Sequence, residues 1–552
     1  MPRARRALES IALAAVLVLP WYFAVYTERI FEAEKMAALR AFGGPALIAI
    51  LALLWRRPAP AAGRSEPGTV RVVPILAHRL ATLHPPARRL AVAAAAFWLA
   101  DALTTAVSRA PLVSLFGSYD RGFGLLSTTA LIALGIGAAS LAARPGGAER
   151  LARAIGASTL PTALYGIFQR VGADPLPWLG DVVTRVSGAA GASVMLGAHL
   201  AMALPFAVWA TWCAYGAAVQ PVERRATGAS TELPRPAIEP GGSILRSAST
   251  GAHSGVVGAQ LQLAAWLVID VAAIAALLLS GSRGPVLAAA AAGGVTALAM
   301  AAPAGRGRLA GALVGAAAAA MLGIVALNRQ PAAFGPIAHL PVIDRLAVAL
   351  DPERSTTRVR LRLWEGTTAA IDDLGARQLI GTGPETMPLV WAAHYPSVLA
   401  YDEPRGWVPD RAHNLWLDRW LTTGVLGAAS LLALLLTALL AALNGLGLVE
   451  RRRDAATALA AVLGAGGGAA AAARLLDGGW RLAAPSFGLG LVGGLALWLA
   501  LAARRRTHPV HAASDGAISP AALHLAALGM LTAFVVETDV GFVVTATGVV
   551  LW

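Results

Sequence analysis

Residues 416–442 read WLDRWLTTGVLGAASLLALLLTALLAA, an apolar run whose only charges, Asp418 and Arg419, sit in its first turn. About 20 apolar residues in a helix cross the hydrocarbon core of a bilayer, roughly 30 Å thick, so this run is long enough to span one. Working outward, comparable runs recur at 8–27, 37–55, 90–108, 124–143, 151–169, 190–214, 259–280, 285–303, 309–327, 456–473, 484–503 and 517–537. The pattern predicts an all-α polytopic membrane protein with about 13 transmembrane helices. A cleaved signal peptide does not account for the first run, because many equal runs follow it. The closing stretch, 541–552, is too short to cross; either the chain is cut there or the stretch re-enters the membrane. Composition agrees: 57% of the 552 residues are hydrophobic and 14% charged, too few charges to cover a soluble surface of this size.

The net charge of +14 is almost wholly arginine, since Lys35 is the only lysine. These arginines stand in short clusters between apolar runs, the pattern of topogenic charge rather than of a nucleic-acid surface, and no nucleic-acid partner is expected. Arg3, Arg5 and Arg6 precede the first run, and Arg56–Arg57 follow the second. Counting forward, Arg88–Arg89, Arg224–Arg225, Arg306 with Arg308, Arg451–Arg453 and Arg504–Arg506 fall on that same side. The positive-inside rule makes it cytoplasmic, which places the N-terminus inside a cytoplasmic membrane. The lone Cys213 excludes a disulfide framework within the chain.

Two connections interrupt the series. Residues 215–258, rich in Ser, Gly, Pro and Ala, read as a disordered cytoplasmic linker within the helices of 1–327. Residues 328–415 lie on the outer side and interleave Trp364, Trp391, Tyr395, Tyr401 and Trp407 with charges. A structureless loop of that length is uncommon, so a folded extracytoplasmic cap is expected there. Residues 416–552 then supply the last helices.

Several outer-side segments carry chemistry. LLLSGSRGPVLAA puts Arg283 at a tight turn between two spans, where it either snorkels to lipid phosphates or meets an anionic ligand. In STTRVRLRLWEG, a helix places Arg358 and Arg362 on one face and Arg360 with Trp364 on the other. Burial of Trp364 turns Arg360 toward the groove between cap and membrane; the alternative is a solvated or membrane-surface basic face. GTGPETM (381–387) reads as a tight turn whose glycines let backbone N–H groups approach a ligand, a signal with little specificity. AHNLWLDRW sets His413 and Asn414 just before a span, where His413 is either an interfacial polar residue or a general base. No GxxxxGK[ST] loop and no GxSxG elbow is present, which disfavours nucleotide hydrolysis and serine-hydrolase chemistry. Asp372 and Asp373 are adjacent and do not share a helix face, and no paired-His or Asp-x-Asp signal suggests a metal site.

Taken in order, LFGSYDRGFGLLS at Arg121, YGIFQRVGADP at Gln169, RVSGAAG at Arg185, SGSRGP at Arg283, RLRLWEG at Arg360, GTGPETM and AHNLWLDRWLTTGVLG at His413 resemble the O-antigen ligase and O-antigen polymerase superfamily of bacterial membrane glycosyltransferases. The resemblance covers residues 90–500, and each motif is short; their order and sidedness carry it. It implies a GT-C-like bundle and a donor glycan carried on undecaprenyl pyrophosphate at the outer face of the bacterial cytoplasmic membrane. It implies a lipid, glycan or protein acceptor and no cofactor or metal. Arg283 and Arg360 would hold the pyrophosphate, and His413 would activate the acceptor hydroxyl. Arg121, Gln169, Arg185 and Asn414 would support them. Two departures stand out: Ala192, Ser193 and Val194 replace an Asn-Pro-Asn-like turn, and Thr423 precedes Gly424 where the family often has an acid. Ligase-type transfer is the expectation, with polymerase or protein glycosylation as alternatives. A transporter predicts inverted repeats with helices broken at midplane; no such repeat is visible, and the chemistry-bearing arginines gather at one face.

The topology is open to test by single-cysteine labelling from outside, in a Cys213→Ser background. A cysteine at Ser397 should be modified and one at Ser247 should not; the reverse pattern would put the cap in the wrong compartment.

Overall fold

The structure, a computed structural model, describes residues 2–551 except 28–29, 56–82, 177, 179, 227–246, 331–332, 336–354, 405–406, 506–519, 540, 542 and 544. Among the described residues every regular element is a helix. Eleven helices among these residues are long and apolar enough to cross a membrane. After α1 (Pro2–Val18), they are α2 (Glu32–Trp55), α3 (Pro85–Ala106), α5 (Leu125–Ala142), α8 (Ser193–Ala226), α9 (Ser247–Leu279), α10 (Arg283–Ala301), α11 (Gly307–Arg329), α14 (Leu415–Gly445), α15 (Arg452–Asp477), α16 (Ala483–Arg505) and α17 (Pro520–Thr538). In a bilayer the backbone must be satisfied within the protein, by helices or a closed β-barrel, and continuous apolar runs of this length do so as helices. Ile48, Leu51 and Trp55 on α2, and Met321 and Leu322 on α11, are exposed apolar side chains of the kind that face lipid tails.

The two remaining expected spans take another form. The first is α1, at 17 residues. The run 151–169 divides at Ser158 into α6 (Gly147–Ala157) and α7 (Thr159–Arg170). The helices α8 and α9 also reach into the expected 215–258 linker, to Ala226 and from Ser247; 227–246 lie outside the described residues.

Small residues let the helices approach. A Cβ on Gly494 of α16 would stand 2.3 Å from the Ala461 carbonyl of α15, so this antiparallel pair packs backbone to backbone. The end of the chain forms α18 (Thr545–Leu551), buried except at Leu551, which packs on α1, α2 and α8.

The cap has its own core of Leu363, Trp364, Met387, Trp391, Leu399 and Leu421. Its main helix is α12 (Ser355–Asp372), followed by the short α13 (Met387–Trp391). The cap is fastened to the bundle at a kink in α14, where Gly424 adopts φ 67° and ψ −172°. There the 381–383 turn docks, with Thr382 N donating to Leu421 O at 3.1 Å and Gly383 N to Thr422 O at 2.7 Å. A Cβ on Gly424 would lie 2.5 Å from the Leu379 carbonyl and the Ile380 nitrogen. In GTGPETM, Gly381 therefore serves a close approach between two backbones, a Cβ there standing 2.4 Å from Thr422 O, while Gly383 makes room for the Ser108 and Ser114 side chains.

Gly424→Ala should combine a glycine-only backbone conformation, costing about 1–3 kcal/mol, with that collision. Thermal unfolding of the purified protein should shift down clearly, whereas Gly464→Ala in α15, where a Cβ meets nothing within 4 Å, should be neutral. Equal behaviour of the two would remove the docking role.

Candidate active site

The site is built on the segment Asp410–Asn414 at the entrance to α14. Arg411, 9% exposed, forms ion pairs with Glu385 and with Asp418, the latter at 2.9 Å. Asp410 pairs with Arg121 at 2.5 Å. The Ala412 carbonyl accepts Trp364 Nε1 at 2.9 Å. Asn414 Oδ1 caps α14 by accepting Leu417 N at 3.0 Å, while its Nδ2 donates to Asp539 O at 2.8 Å. Between these anchored neighbours His413 takes φ 50°, a left-handed conformation that costs a non-glycine residue energy and is held by its surroundings.

Glu385, also left-handed at φ 64° and 4% exposed, joins three segments. Besides pairing with Arg411 it accepts Ser118 N at 3.2 Å and Ser118 Oγ at 2.6 Å. The turn 381–386 thus carries a carboxylate into the core that ties the 117–124 loop to the His413 segment. Neither Glu385 nor Arg411 stood out in the sequence. The available signal was a carboxylate inside a glycine turn and an arginine two residues before a histidine.

The cap helix presents its arginines as its spacing predicts. Arg358 pairs with Asp402, and Arg362 with Glu365 at 2.8 Å. Trp364 is 7% exposed and inward. Arg360 is turned away from those pairs and lies among Arg283, Glu537 and His413. Burial and then the nearby Arg283 depress the Arg360 pKa, with Glu537 opposing them; a guanidinium remains protonated regardless. Glu537, at the end of α17, is 2% exposed, and its Oε2 has no hydrogen-bond partner among the described residues. The sequence offered no sign of it, because it is a single acid at the end of an apolar run.

His413 is pushed down to about 4, first by burial and then by Arg360, with Asp410 opposing and Arg121 and Arg411 adding to the depression. It is therefore neutral at physiological pH. Burial raises the Asp410 carboxyl, but Arg121, Arg411 and His413 outweigh it and the net direction is down. Burial likewise disfavours the Arg411 cation, yet Glu385, Asp418 and Asp410 together move its pKa upward.

The supporting residues divide. Arg121 faces His413 and pairs with Asp410. Arg185 reaches Ser282 Oγ at 3.4 Å, one residue from Arg283. Gln169 is engaged with backbone: its Oε1 accepts Ser187 N at 3.0 Å and Gly188 N at 2.8 Å, and its Nε2 donates to Asp174. Together with Lys35 Nζ, which donates to Ala189 O at 2.6 Å, it fixes the turn that follows Arg185. Asn414 is a helix cap. His394 lies 3.6 Å from Asp373, on the exposed side of the cap. An open cleft of about 330 Å³, lined by Phe31, Glu32, Asp120 and Arg121, adjoins the group. A larger one of about 880 Å³ lies at the other end of α10, lined by Arg306, Arg308 and Arg504, away from His413.

The family model for O-antigen ligases matches residues 268–432. That match supports the O-antigen ligase superfamily. The matched segment runs from the second half of α9 to the middle of α14 and contains Arg283, Arg360, Glu385, Arg411 and His413, while Arg121 and Glu537 come from outside it. No curated protein matches the chain. The match supports a membrane glycosyltransferase of ligase or polymerase type, whose partners are in general a lipid-linked glycan and an acceptor.

Arg411→Leu should destabilise this segment severely, because two buried carboxylates lose their cation, a loss of about 3–5 kcal/mol. The triple variant Arg411→Leu, Glu385→Gln, Asp418→Asn should recover much of the loss in a thermal-unfolding assay. A single variant as stable as wild type would show that the ion pairs do not hold the segment.

Proposed function

We propose that the protein transfers a glycan from polyprenyl pyrophosphate, undecaprenyl pyrophosphate in bacteria, to an acceptor hydroxyl at the outer face of the cytoplasmic membrane. The observation that carries this is that Arg283 comes near Arg360 and Arg360 near a neutral His413, from parts of the chain far apart in sequence. Two guanidiniums held close repel each other, and an anion between them relieves that repulsion. A pyrophosphate matches their planar forks bidentately.

As the glycosidic C–O bond breaks, negative charge grows on the leaving pyrophosphate. Fixed cations stabilise that charge more in the transition state than in the donor, which lowers the barrier. His413, being neutral, takes the acceptor proton as the oxygen attacks the anomeric carbon. The bound anion also offsets the arginines that depress His413, so the base strengthens when donor is in place. The charge role falls to the two arginines, and transfer proceeds without a divalent ion. Ligase-type transfer to a lipid-borne acceptor is the reading preferred, with the N-terminus cytoplasmic. Chain polymerisation and transfer to protein use the same chemistry.

Arg283→Ala and Arg360→Ala should weaken donor binding and nearly abolish turnover, and Arg283→Lys should fail substantially because it loses the fork. His413→Ala should lower the rate about 10²–10⁴-fold with donor affinity nearly unchanged. Near-normal transfer by His413→Ala, or dependence on magnesium or manganese after chelation, would overturn the respective roles.

The pH profile follows from the His413 direction. Protonation removes the base, so activity falls on the acid side. In kcat/KM for donor, which reports the free enzyme, that fall should come near pH 4. In kcat it should lie at higher pH, because bound pyrophosphate favours the imidazolium. Coincident acid limbs would argue against contact between the donor anion and His413.

A further inference from the structure

The cleft beside Arg121 combines surfaces of three kinds. Its back carries Phe31, whose ring lies 5.4 Å from that of Trp178 and 5.7 Å from that of Phe23. Asp174 accepts Tyr165 OH at 2.9 Å and Trp178 Nε1 at 2.7 Å, which pins the aromatic cluster. The Gly191 backbone, at φ 84°, passes so close that a Cβ would stand 2.4 Å from the Phe31 ring, so the ring is fixed from that side as well. The walls carry carboxylates. Glu32 is oriented by Thr545, whose N and Oγ1 donate to its Oε2 at 3.1 and 3.0 Å. Asp120 is exposed on the loop opposite. Arg121 closes one side and connects through Asp410 to the segment bearing His413.

The cleft reaches the catalytic segment through one of its own walls: Arg121 lines it and pairs at 2.5 Å with Asp410, three residues before His413. Arg360, the neighbour of Arg283, acts on the same histidine. The cleft and the arginine pair therefore both bear on His413. If pyrophosphate occupies the pair, the hydroxyl that His413 deprotonates comes from the cleft.

The chemistry of the walls selects what brings that hydroxyl. A pyranose has an apolar C–H face, which packs on a rigid aromatic ring. Its rim of hydroxyls donates to carboxylates and accepts from a guanidinium. A peptide presents backbone donors and acceptors instead, to which this ring and these carboxylates offer no matching ladder. Two acids also disfavour an anionic sugar.

We propose that the cleft is the acceptor subsite and that it holds a neutral sugar, with Asp120, Glu32 and Arg121 reading its hydroxyls against Phe31. The inference rests on the transfer reading above and names the acceptor class for it. In the step, the sugar oxygen bonds to the donor's anomeric carbon and its proton passes to His413. The C–O bond to pyrophosphate breaks, and its electron pair leaves on the phosphate oxygen between the arginines.

The test uses the full chain in nanodiscs and a panel of methyl glycosides of neutral hexoses and N-acetylhexosamines. Their binding is followed by saturation-transfer NMR. Transfer is followed with polyprenyl-pyrophosphate glycan and acceptor fractions extracted from native membranes. The glycosides should compete with acceptor and not with donor. Asp120→Asn should weaken glycoside binding and raise acceptor KM about tenfold or more, the loss of a charge-assisted hydrogen bond, with donor KM unchanged. Phe31→Leu should do the same, and the exposed Asp120 position guards against a folding artefact in the aromatic cluster. Competition with donor, an unchanged acceptor KM in Asp120→Asn, or competition by serine- and threonine-bearing peptides in place of glycosides would overturn the subsite. If the glycosides bind through Asp120 but the wild type transfers nothing from the lipid-linked donor, the transfer reading falls and sugar binding by the cleft stands.

Discussion

Arg411 lies buried between Glu385 and Asp418, and the geometry of the whole site follows from that arrangement. A buried cation is costly unless paired, and two buried carboxylates without it are costlier still, so the three groups enforce one another's positions. Each is supplied by a different piece of chain: the entrance to α14, the cap turn 381–386 and the first turn of α14 itself. Glu385 extends the constraint to the 117–124 loop through Ser118, and Asp410 extends it to Arg121. The left-handed backbone at His413 persists because both sides of it are tied in this way.

The same network sets the electrostatic balance. Arg121, Arg360 and Arg411 surround His413, and burial removes the water that would screen them. The histidine is consequently neutral and the surroundings are positive, a combination suited to a proton acceptor beside an anionic leaving group. Acids are placed where they orient rather than cancel: Asp410 on Arg121, Asp402 on Arg358, Glu537 near Arg360.

Membrane packing and site construction meet at the kink of α14. Gly424 bends the helix so that carbonyls of Leu421 and Thr422 are left for the cap turn to hydrogen-bond, and Gly381 of that turn permits the approach. Thr423, which stands where the family often has an acid, bonds back to the Arg419 carbonyl at 2.8 Å and takes part in this packing. The glycines of the turn allowed a ligand contact as one unspecific reading; the backbone N–H groups of Thr382 and Gly383 are engaged in joining cap to bundle.

The class of fold was legible in the order of residues alone, because a helical span has a required length and apolarity that can be read off runs such as 416–442. The alternation of Arg358, Arg360 and Arg362 around Trp364 is a local, 3.6-residue fact that sets Arg360 apart from the other two, but a solvated or membrane-surface face stayed open until the burial of Trp364 turned Arg360 inward. Arg283 and His413 were marked by their position at span ends. Which of the remaining polar residues act on one another emerges only once the chain is folded. Gln169 and Asn414 looked like members of the site and are engaged with backbone groups, while Glu385, Arg411 and Glu537 were not marked at all. Their significance lies in pairings across long stretches of chain, such as Ser118 with Glu385 and Glu32 with Thr545. Periodicity reports how a residue faces its own helix; it carries no information about which distant charge the fold will bring against it.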